Sequence, residues 1–197
     1  SEGKAIPWLK ASRSLSAIGV PGTTALIWEG HQQFGRLPWE NNFKESIHLA
    51  KEGFTPSPRL LRSISLARKI GINHSQTFKA LYTPNGSLPS EKTLFQNQKL
   101  VSTLTRIAKK GAKEFYRGGV AKQLITDLAL QQNNKKKELT ISNDDLANYK
   151  VEQREPLCRK YRSWRVCTFP PPSGGGVAIL QALGMYEHLS KKHWSEE

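Results

Sequence analysis

The sequence predicts a helix-rich α+β fold, and a change in its apolar pattern supports that prediction. Through most of the first 147 residues, apolar side chains recur at helical spacing between capping and turn residues. From Tyr149 to Phe169 the pattern becomes that of strands, and FPPPSGGG then stops the last strand ahead of a final helix. We expect one domain with a mainly helical part (1–147), a strand part with a hairpin (148–170) and a glycine-rich turn with a helix (171–197).

Six helices are predicted from their apolar faces and from the residues that bound them. Thr23 or Thr24 is expected to cap the first helix, and Ser57 to cap the third helix ahead of Pro58. Glycines at positions 35, 53 and 111 are expected to end the first, second and fourth helices. The apolar faces are Ala25, Leu26, Ile27 and Phe34; Phe43, Ile47, Ala50 and Phe54; Leu60, Leu61, Ile64 and Leu66; Leu94, Leu100, Val101, Leu104, Ile107 and Ala108; Phe115, Ala121, Leu124, Ile125 and Leu128; and Val177, Leu180, Leu183 and Met185.

Three shorter stretches lie outside these helices. Leu15 to Val20 predicts a short buried strand, because it is an apolar run stopped by proline and glycine. The stretch from Asn73 to Leu94 is rich in turn residues and predicts irregular structure. Ser142 or Asn143 is expected to cap a short helical turn.

The segment CRKYRSWRVC predicts a tight hairpin that joins two cysteines. A two-residue turn at Arg162-Ser163 would place Cys158 opposite Cys167, at a pair that is not hydrogen-bonded, where strands lie closest. A disulfide is geometrically plausible there, and two free half-buried thiols are the alternative. Neither cysteine has a second thiol or a histidine at metal-ligand spacing, so a metal knuckle is excluded.

The net charge of +14 raises the question of a nucleic-acid partner. The basic residues are scattered, and the longest run, Lys135 to Lys137, lies in a polar loop without interleaved aromatic residues. The pattern therefore favours a solvated basic surface over nucleic-acid binding. No stretch approaches the length of a membrane span, and the opening SEGKAIPWLK lacks the apolar run of a secretory signal. Both ends lack a recognisable start or stop element, so we expect a piece of a longer chain.

No residue in the sequence makes a convincing catalytic, cofactor-binding or metal-binding site. Ser173 has Pro171 where a nucleophile elbow needs glycine, and a turn or helix cap is the better interpretation. Gly174 to Gly176 lack the lysine and hydroxyl of a phosphate-binding loop. Asp144 and Asp145 stand where acidic residues stabilise a helix start. The histidines are dispersed and are expected to be packing or surface residues; they are His31, His48, His74, His188 and His193.

Taken together, the motifs resemble those of the gamma-glutamyltransferases, also called glutathione hydrolases, in the same order over nearly the whole chain. The matching stretches are VPGT at Val20 to Thr23, FGRLPW at Phe34 to Trp39, LAKEGF at Leu49 to Phe54, SPRL at Ser57 to Leu60, IAKKGAKEFYRGGVA at Ile107 to Ala121, DLANYKVEQREPL at Asp145 to Leu157, and PPPSGGG at Pro170 to Gly176.

This resemblance implies part of an N-terminal-nucleophile hydrolase with an αββα fold. Such an enzyme is made as an inactive precursor that cuts itself into a large and a small subunit. The threonine that begins the small subunit then acts as nucleophile, with its own α-amino group as base. It takes the γ-glutamyl group from glutathione or a similar donor and passes it to water or an amino acid. No cofactor is implied.

The chain resembles the middle and later part of the large subunit. The family's carboxylate-binding arginine lies upstream of VPGT and its threonine lies downstream, so no catalytic residue is assigned to any position here. The implied partners are the remainder of the large subunit, the threonine-starting small subunit and γ-glutamyl substrates, with a periplasmic or secreted location. A fragment of this kind is expected to be inactive alone and to associate through uncovered apolar surface.

Two departures from the family pattern concern structure. Gly174 replaces a serine, and Ser163 stands where glycine is usual, so we expect a strained hairpin turn or a different turn type. A cephalosporin acylase or a poly-γ-glutamate-processing enzyme would share these motifs, and both remain alternatives. A non-enzymatic basic binding module is a further one.

Overall fold

The computed structural model describes Ala5, residues 7–12, Ser14 and residues 17–71, 76–131 and 141–193. In chain order the elements are α1 (Trp8–Ser12), α2 (Thr23–Phe34), a 3₁₀ helix (Trp39–Phe43), α3 (Lys44–Glu52), α4 (Pro58–Lys69), α5 (Gln76–Tyr82), α6 (Gln98–Lys110), α7 (Ala112–Tyr116), α8 (Gly119–Gln131), α9 (Asn143–Ala147), β1 (Leu157–Tyr161), β2 (Trp164–Thr168) and α10 (Gly174–His193). They group into two compact units, one up to Val151 and one from Glu152. The single-domain organisation stays a prediction.

The first unit is a layer of helices around small buried clusters. Leu146 is fully buried in α9, where it forms a cluster with Ala121 of α8 and Ile141. Val20, Leu124 and Ile125 pack against this cluster. Further buried side chains belong to α3, α4, α6 and the bridge between Phe54 and Phe95; they are Ala50, Ile64, Phe95, Ile107 and Ala108.

Several predicted helix bounds are confirmed. Gly53 and Gly111 end α3 and α6 with φ of 95° and 68°, which only glycine adopts without strain. The Ser57 hydroxyl accepts the Leu60 N–H at 3.2 Å ahead of Pro58. Ser142 and Asp145 form a reciprocal capping box at α9. These ends were predictable because the capping residues act locally.

The predicted cap of α2 is wrong. Thr23 is the first helical residue, Gly22 occupies the N-cap position, and no side chain in the cap accepts a helix N–H. Tyr116, distant in sequence, performs that role, since its hydroxyl accepts the Ala25 N–H at 3.1 Å and donates to the Pro21 carbonyl at 2.6 Å. A tertiary contact therefore replaces the local cap.

Three further predictions need correction. Of the strand predicted from Leu15 to Val20, the first two residues lie outside the described structure; residues 17–20 form no strand, although Val20 does reach the core. The stretch expected to be irregular contains α5, because Phe78 and Tyr82 form an apolar helix face that meets Phe95. Residues 149–156 are not strands, since β1 and β2 pair only with each other within the described chain.

The second unit contains the predicted hairpin, and its register is confirmed at every pair. Tyr161 lies opposite Trp164 and Cys158 opposite Cys167. The cysteines form a disulfide with a Cα–Cα distance of 4.1 Å. Among the two turn residues, φ is positive only at Arg162, at 54°, so the turn is not the type that requires positive φ at both positions.

The glycines after the proline run explain how α10 packs on this hairpin. A Cβ at Gly176 would collide with the Phe169 carbonyl and lie 2.9 Å from Thr168 Oγ1. A Cβ at Gly184 would lie 2.5 Å from Arg159 Cζ. Gly174 and Gly175 have no atom within 4 Å of such a Cβ. The close approach of helix to hairpin therefore depends on two of the α10 glycines.

A matched pair of glycine substitutions tests the close packing at the end of α6. We expect Gly111→Ala to lower the free energy of unfolding by about 2 kcal/mol, because φ there is 68° and the new Cβ would lie 2.7 Å from the Trp28 ring. Gly30→Ala should raise it by about 0.5–1 kcal/mol, since the site lies inside α2 with no atom within 4 Å. Urea unfolding followed by tryptophan fluorescence measures both, and equal effects would contradict this account.

Candidate functional site: the buried Glu114 cluster

Ser173 is a turn residue in the structure. Its backbone N–H donates to the Pro170 carbonyl at 3.2 Å, and its side chain is exposed just ahead of α10. Gly174 to Gly176 form the first residues of α10 rather than a separate loop. Neither feature brings together a nucleophile and a base.

The histidines and acidic candidates also lie apart. The His31 ring meets the Trp39 ring edge-on, with 5.1 Å between the ring centroids, and its Nε2 lies 2.9 Å from the Leu37 carbonyl oxygen. His31 is therefore a packing residue. His74 and the side chain of His193 lie outside the described residues. Within the described part, no three His, Cys, Asp or Glu side chains form a group that could hold a metal ion.

Asp145 is bound to its own helix end. Its carboxylate accepts the Ser142 N–H and the Ser142 hydroxyl, both at 2.8 Å. These two hydrogen bonds hold the pKa of the Asp145 carboxyl below its ordinary value. The group is therefore an ionised cap, as the sequence indicated.

The one buried charged group of the described chain is Glu114 in α7, which is 4% exposed. Its Oε1 accepts hydrogen bonds from Arg106 Nε at 2.8 Å and from the Gly119 backbone N–H at 3.1 Å, and it pairs with Arg106 Nη2 as well. Its Oε2 lies 3.5 Å from Lys110 Nζ. The carboxylate thus joins three successive helices, α6, α7 and α8.

These partners decide the ionisation of Glu114. Burial alone would raise its pKa, but the Arg106 hydrogen bond, the charges of Lys110 and Arg106, and the Gly119 N–H together hold the pKa below 4.5. The carboxylate is consequently ionised at neutral pH, with its negative charge at the amino end of α8, where the helix dipole favours it. It is poorly suited to exchange protons during catalysis.

The glycines that follow make room for this carboxylate. A Cβ at Gly118 would collide with Glu114 Oε2, and one at Gly119 would collide with Arg106 Nη2. The sequence prediction of one continuous helix from about residue 113 is therefore wrong. The chain breaks at residues 117 and 118 so that the Gly119 N–H can meet the carboxylate.

Tyr116 lies beside this cluster and connects it to α2. Burial raises the pKa of its phenol above 10.0, against the effect of the Ala25 N–H, so the hydroxyl stays protonated and donates to Pro21. Its ring stacks on the Tyr149 ring, with 5.7 Å between the ring centroids and an interplanar angle of 8°. Glu114 and Tyr116 therefore position α2, α6, α7 and α8 relative to one another.

Neither Glu114 nor Tyr116 is among the candidate residues predicted from the sequence. Both lie in the AKEFYRGG stretch, where they follow no apolar periodicity. The available signal was a glutamate among lysines, four residues ahead of a pair of glycines, which fits a carboxylate that receives a backbone N–H.

A groove with mainly apolar walls lies elsewhere in the first unit. It has a volume of about 460 Å³ and is lined mainly by apolar side chains of α3, α5, α6 and the Phe54–Phe95 bridge. Tyr82 is its only ionisable lining residue. This groove offers packing surface and no acid–base pair.

The chain is similar in sequence and in structure to several known proteins. A family model described as Gamma-glutamyltranspeptidase matches residues 2–197. The glutathione hydrolase proenzyme of Pseudomonas aeruginosa is 36% identical over 172 residues, which are 87% of this chain and 29% of the relative. The solved gamma-glutamyltranspeptidase of Helicobacter pylori aligns with a TM-score of 0.83 at 30% identity, over 95% of this chain and 52% of that chain. The solved structure of the Bacillus anthracis transpeptidase CapD aligns with a TM-score of 0.75 at 34% identity, over 88% of this chain and 56% of that chain.

Replacing the buried carboxylate should weaken the fold in a pH-dependent way. At pH 7, Glu114→Gln is expected to lower the free energy of unfolding by about 2 kcal/mol, because Arg106 and Lys110 lose their counter-charge. Since the folded pKa of Glu114 lies below the ordinary value of a glutamate, its contribution is full above that ordinary value and is lost as the pH falls through the folded value. The wild-type chain should therefore lose more stability than the variant on acidification.

The exposed Glu29 of α2 provides the control for this experiment. Glu29→Gln should leave both the stability and its pH dependence nearly unchanged. If Glu114→Gln behaved in the same way in urea unfolding at pH 7 and pH 4, the proposed electrostatic role of Glu114 would be wrong.

Proposed function

Because this chain belongs to the gamma-glutamyltranspeptidase family, we propose that it is the scaffold portion of an enzyme that cleaves the γ-glutamyl bond of glutathione-like donors. The acyl group is transferred to water or an amino acid. The observation that carries this proposal is the family match over residues 2–197, together with the 29% share of the Pseudomonas aeruginosa relative that the chain spans. The whole enzyme's chemistry thus depends largely on chain outside this segment.

The described residues support the reaction by positioning helices. Glu114 is ionised and its Oε1 accepts several hydrogen bonds, and the protonated Tyr116 hydroxyl accepts from Ala25 and donates to Pro21. A threonine outside this chain would supply nucleophile and base through its hydroxyl and α-amino group. The segment thus contributes stiffness and shape to the catalytic domain.

Exposed apolar side chains support a partner made of the remaining subunit chain. On the first unit, Phe34 is 80% exposed at the end of α2, close in sequence to the exposed Leu37. On the second unit, Phe169 is 78% exposed, and α10 exposes a set of large side chains, namely Ile179, Met185, Tyr186 and Leu189. Surfaces of this kind mark interfaces in proteins that are stable in water. We propose that the rest of the large subunit and the threonine-starting small subunit cover them.

A transpeptidase that acts on a different γ-linked donor is the second candidate. The CapD transpeptidase is 34% identical to this chain, against 30% for the Helicobacter pylori enzyme, so identity does not rank the two activities. The described side chains form no catalytic arrangement that would select the donor. Assays with several donors must separate the two.

No helix in the described part is long and apolar enough to cross a membrane. We propose a periplasmic or secreted enzyme, and the Cys158–Cys167 disulfide supports this location because such bonds persist in oxidising compartments.

The full-length protein that carries this segment provides the test. Intact-mass measurement under denaturing conditions should show two polypeptides, the smaller beginning with threonine, and a γ-glutamyl anilide should be turned over. The 197-residue chain alone should be inactive and should associate in solution. A matured protein that hydrolyses glutaryl-cephalosporin or cleaves poly-γ-glutamate, and leaves glutathione and the anilide intact, would overturn the proposed donor.

A further inference from the structure

The two faces of the β1–β2 hairpin differ in what covers them. Because side chains alternate along a strand, Arg159 and Thr168 share the face that packs on α10, where Gly184 and Gly176 approach them closely. Cys158 and Cys167 belong to the opposite face, together with Lys160 and its cross-strand partner Arg165. The disulfide therefore lies on the face that α10 leaves open.

Solvent reaches this disulfide. Cys167 is exposed and Cys158 is half-buried. A shallow depression of about 390 Å³ is lined by Cys158 together with Arg159, Lys160, Ser163, Trp164 and Arg165, and its lining contains no acidic side chain. This basic depression borders the disulfide at Cys158, and the exposed Cys167 forms the other half of the same bond.

The same face carries an unfavourable pair of like charges. Lys160 and Arg165 lie directly opposite each other and are both exposed, and neither has an acidic partner among the described residues. Like charges directly opposite in a hairpin destabilise it. Two positive charges beside a disulfide attract an incoming anion and favour the thiolate form of a released cysteine.

We propose that Cys167 is a site of reversible S-thiolation by small anionic thiols of the glutathione class. The thiolate of the small molecule attacks Cys167 Sγ, forming a new S–S bond while the Cys158–Cys167 bond breaks. The electron pair of the broken bond leaves on Cys158 Sγ, whose thiolate the neighbouring cations stabilise. A second thiolate that attacks the mixed disulfide releases Cys167, so that two small thiols are oxidised as the protein disulfide is reduced.

Exposure decides which sulfur is attacked. The more exposed Cys167 is open to the nucleophile, while the half-buried Cys158 is the leaving group. This modification does not rest on the proposed γ-glutamyl chemistry, because it needs only the hairpin, the cation pair and an external thiol.

Charge discrimination between thiols tests the proposal. The rate of disulfide opening in the 197-residue chain is measured with glutathione, which carries two carboxylates, and with the cationic thiol cysteamine, each at equal thiolate concentration. The combined Lys160→Gln and Arg165→Gln variant should react with glutathione roughly three- to tenfold more slowly than the wild type, while cysteamine should not be slowed. A matched variant, Lys113→Gln with Lys122→Gln, removes two exposed charges from α7 and α8 and should change neither rate.

Two further readouts keep the proposal open to contradiction even if the double variant folds poorly. In the wild-type chain, added salt should slow the glutathione reaction and not the cysteamine reaction. Peptide mapping after acid quenching should place the first glutathione adduct on Cys167. Equal rates for both thiols at all salt concentrations, or an adduct on Cys158, would overturn the proposal.

Discussion

The buried charge of Glu114 is the constraint on which the described part of the first unit depends. An unpaired carboxylate in this position would cost several kcal/mol, so the chain must bring a guanidinium, an ammonium and a backbone N–H to it. Those partners come from α6 and from the start of α8. The break between α7 and α8 and the two glycines there follow from this requirement. Tyr116, two residues along, extends the same arrangement to α2.

Features set by local interactions were predictable from the sequence. Features in which a contact between distant residues takes the place of a local interaction were not. The hairpin register, which places the two cysteines opposite each other, follows from counting outward from a two-residue turn and is confirmed. Counting left open whether the two thiols are bridged, and the structure contains the disulfide. The cap of α2 was not predictable, because the hydroxyl that meets Ala25 lies 91 residues away in Tyr116. Likewise, α5 has a short apolar face surrounded by turn residues, and its helix forms against Phe95. Glu114 left only a weak sequence signal, since burial of a charge is visible only after folding.

The fold class and the family are confirmed. Solved relatives with TM-scores of 0.75 and 0.83 share the helix-rich α+β arrangement of the chain. The chain spans 29% of the Pseudomonas aeruginosa relative, so most of that relative lies outside the matched segment. Under the proposed function, the segment supplies packing to the enzyme, and the rest of the protein would cover its exposed apolar side chains on α2 and α10.

The most direct test of that account separates chemistry from support in the full-length protein. Glu114→Gln should reduce the fraction of protein that folds and matures, while kcat per mature enzyme with a γ-glutamyl donor stays within about twofold of the wild type. Active-site titration of the threonine gives the mature fraction, and initial rates give kcat. A large fall in kcat with an unchanged mature fraction would contradict the account, because Glu114 would then act on the reacting groups themselves.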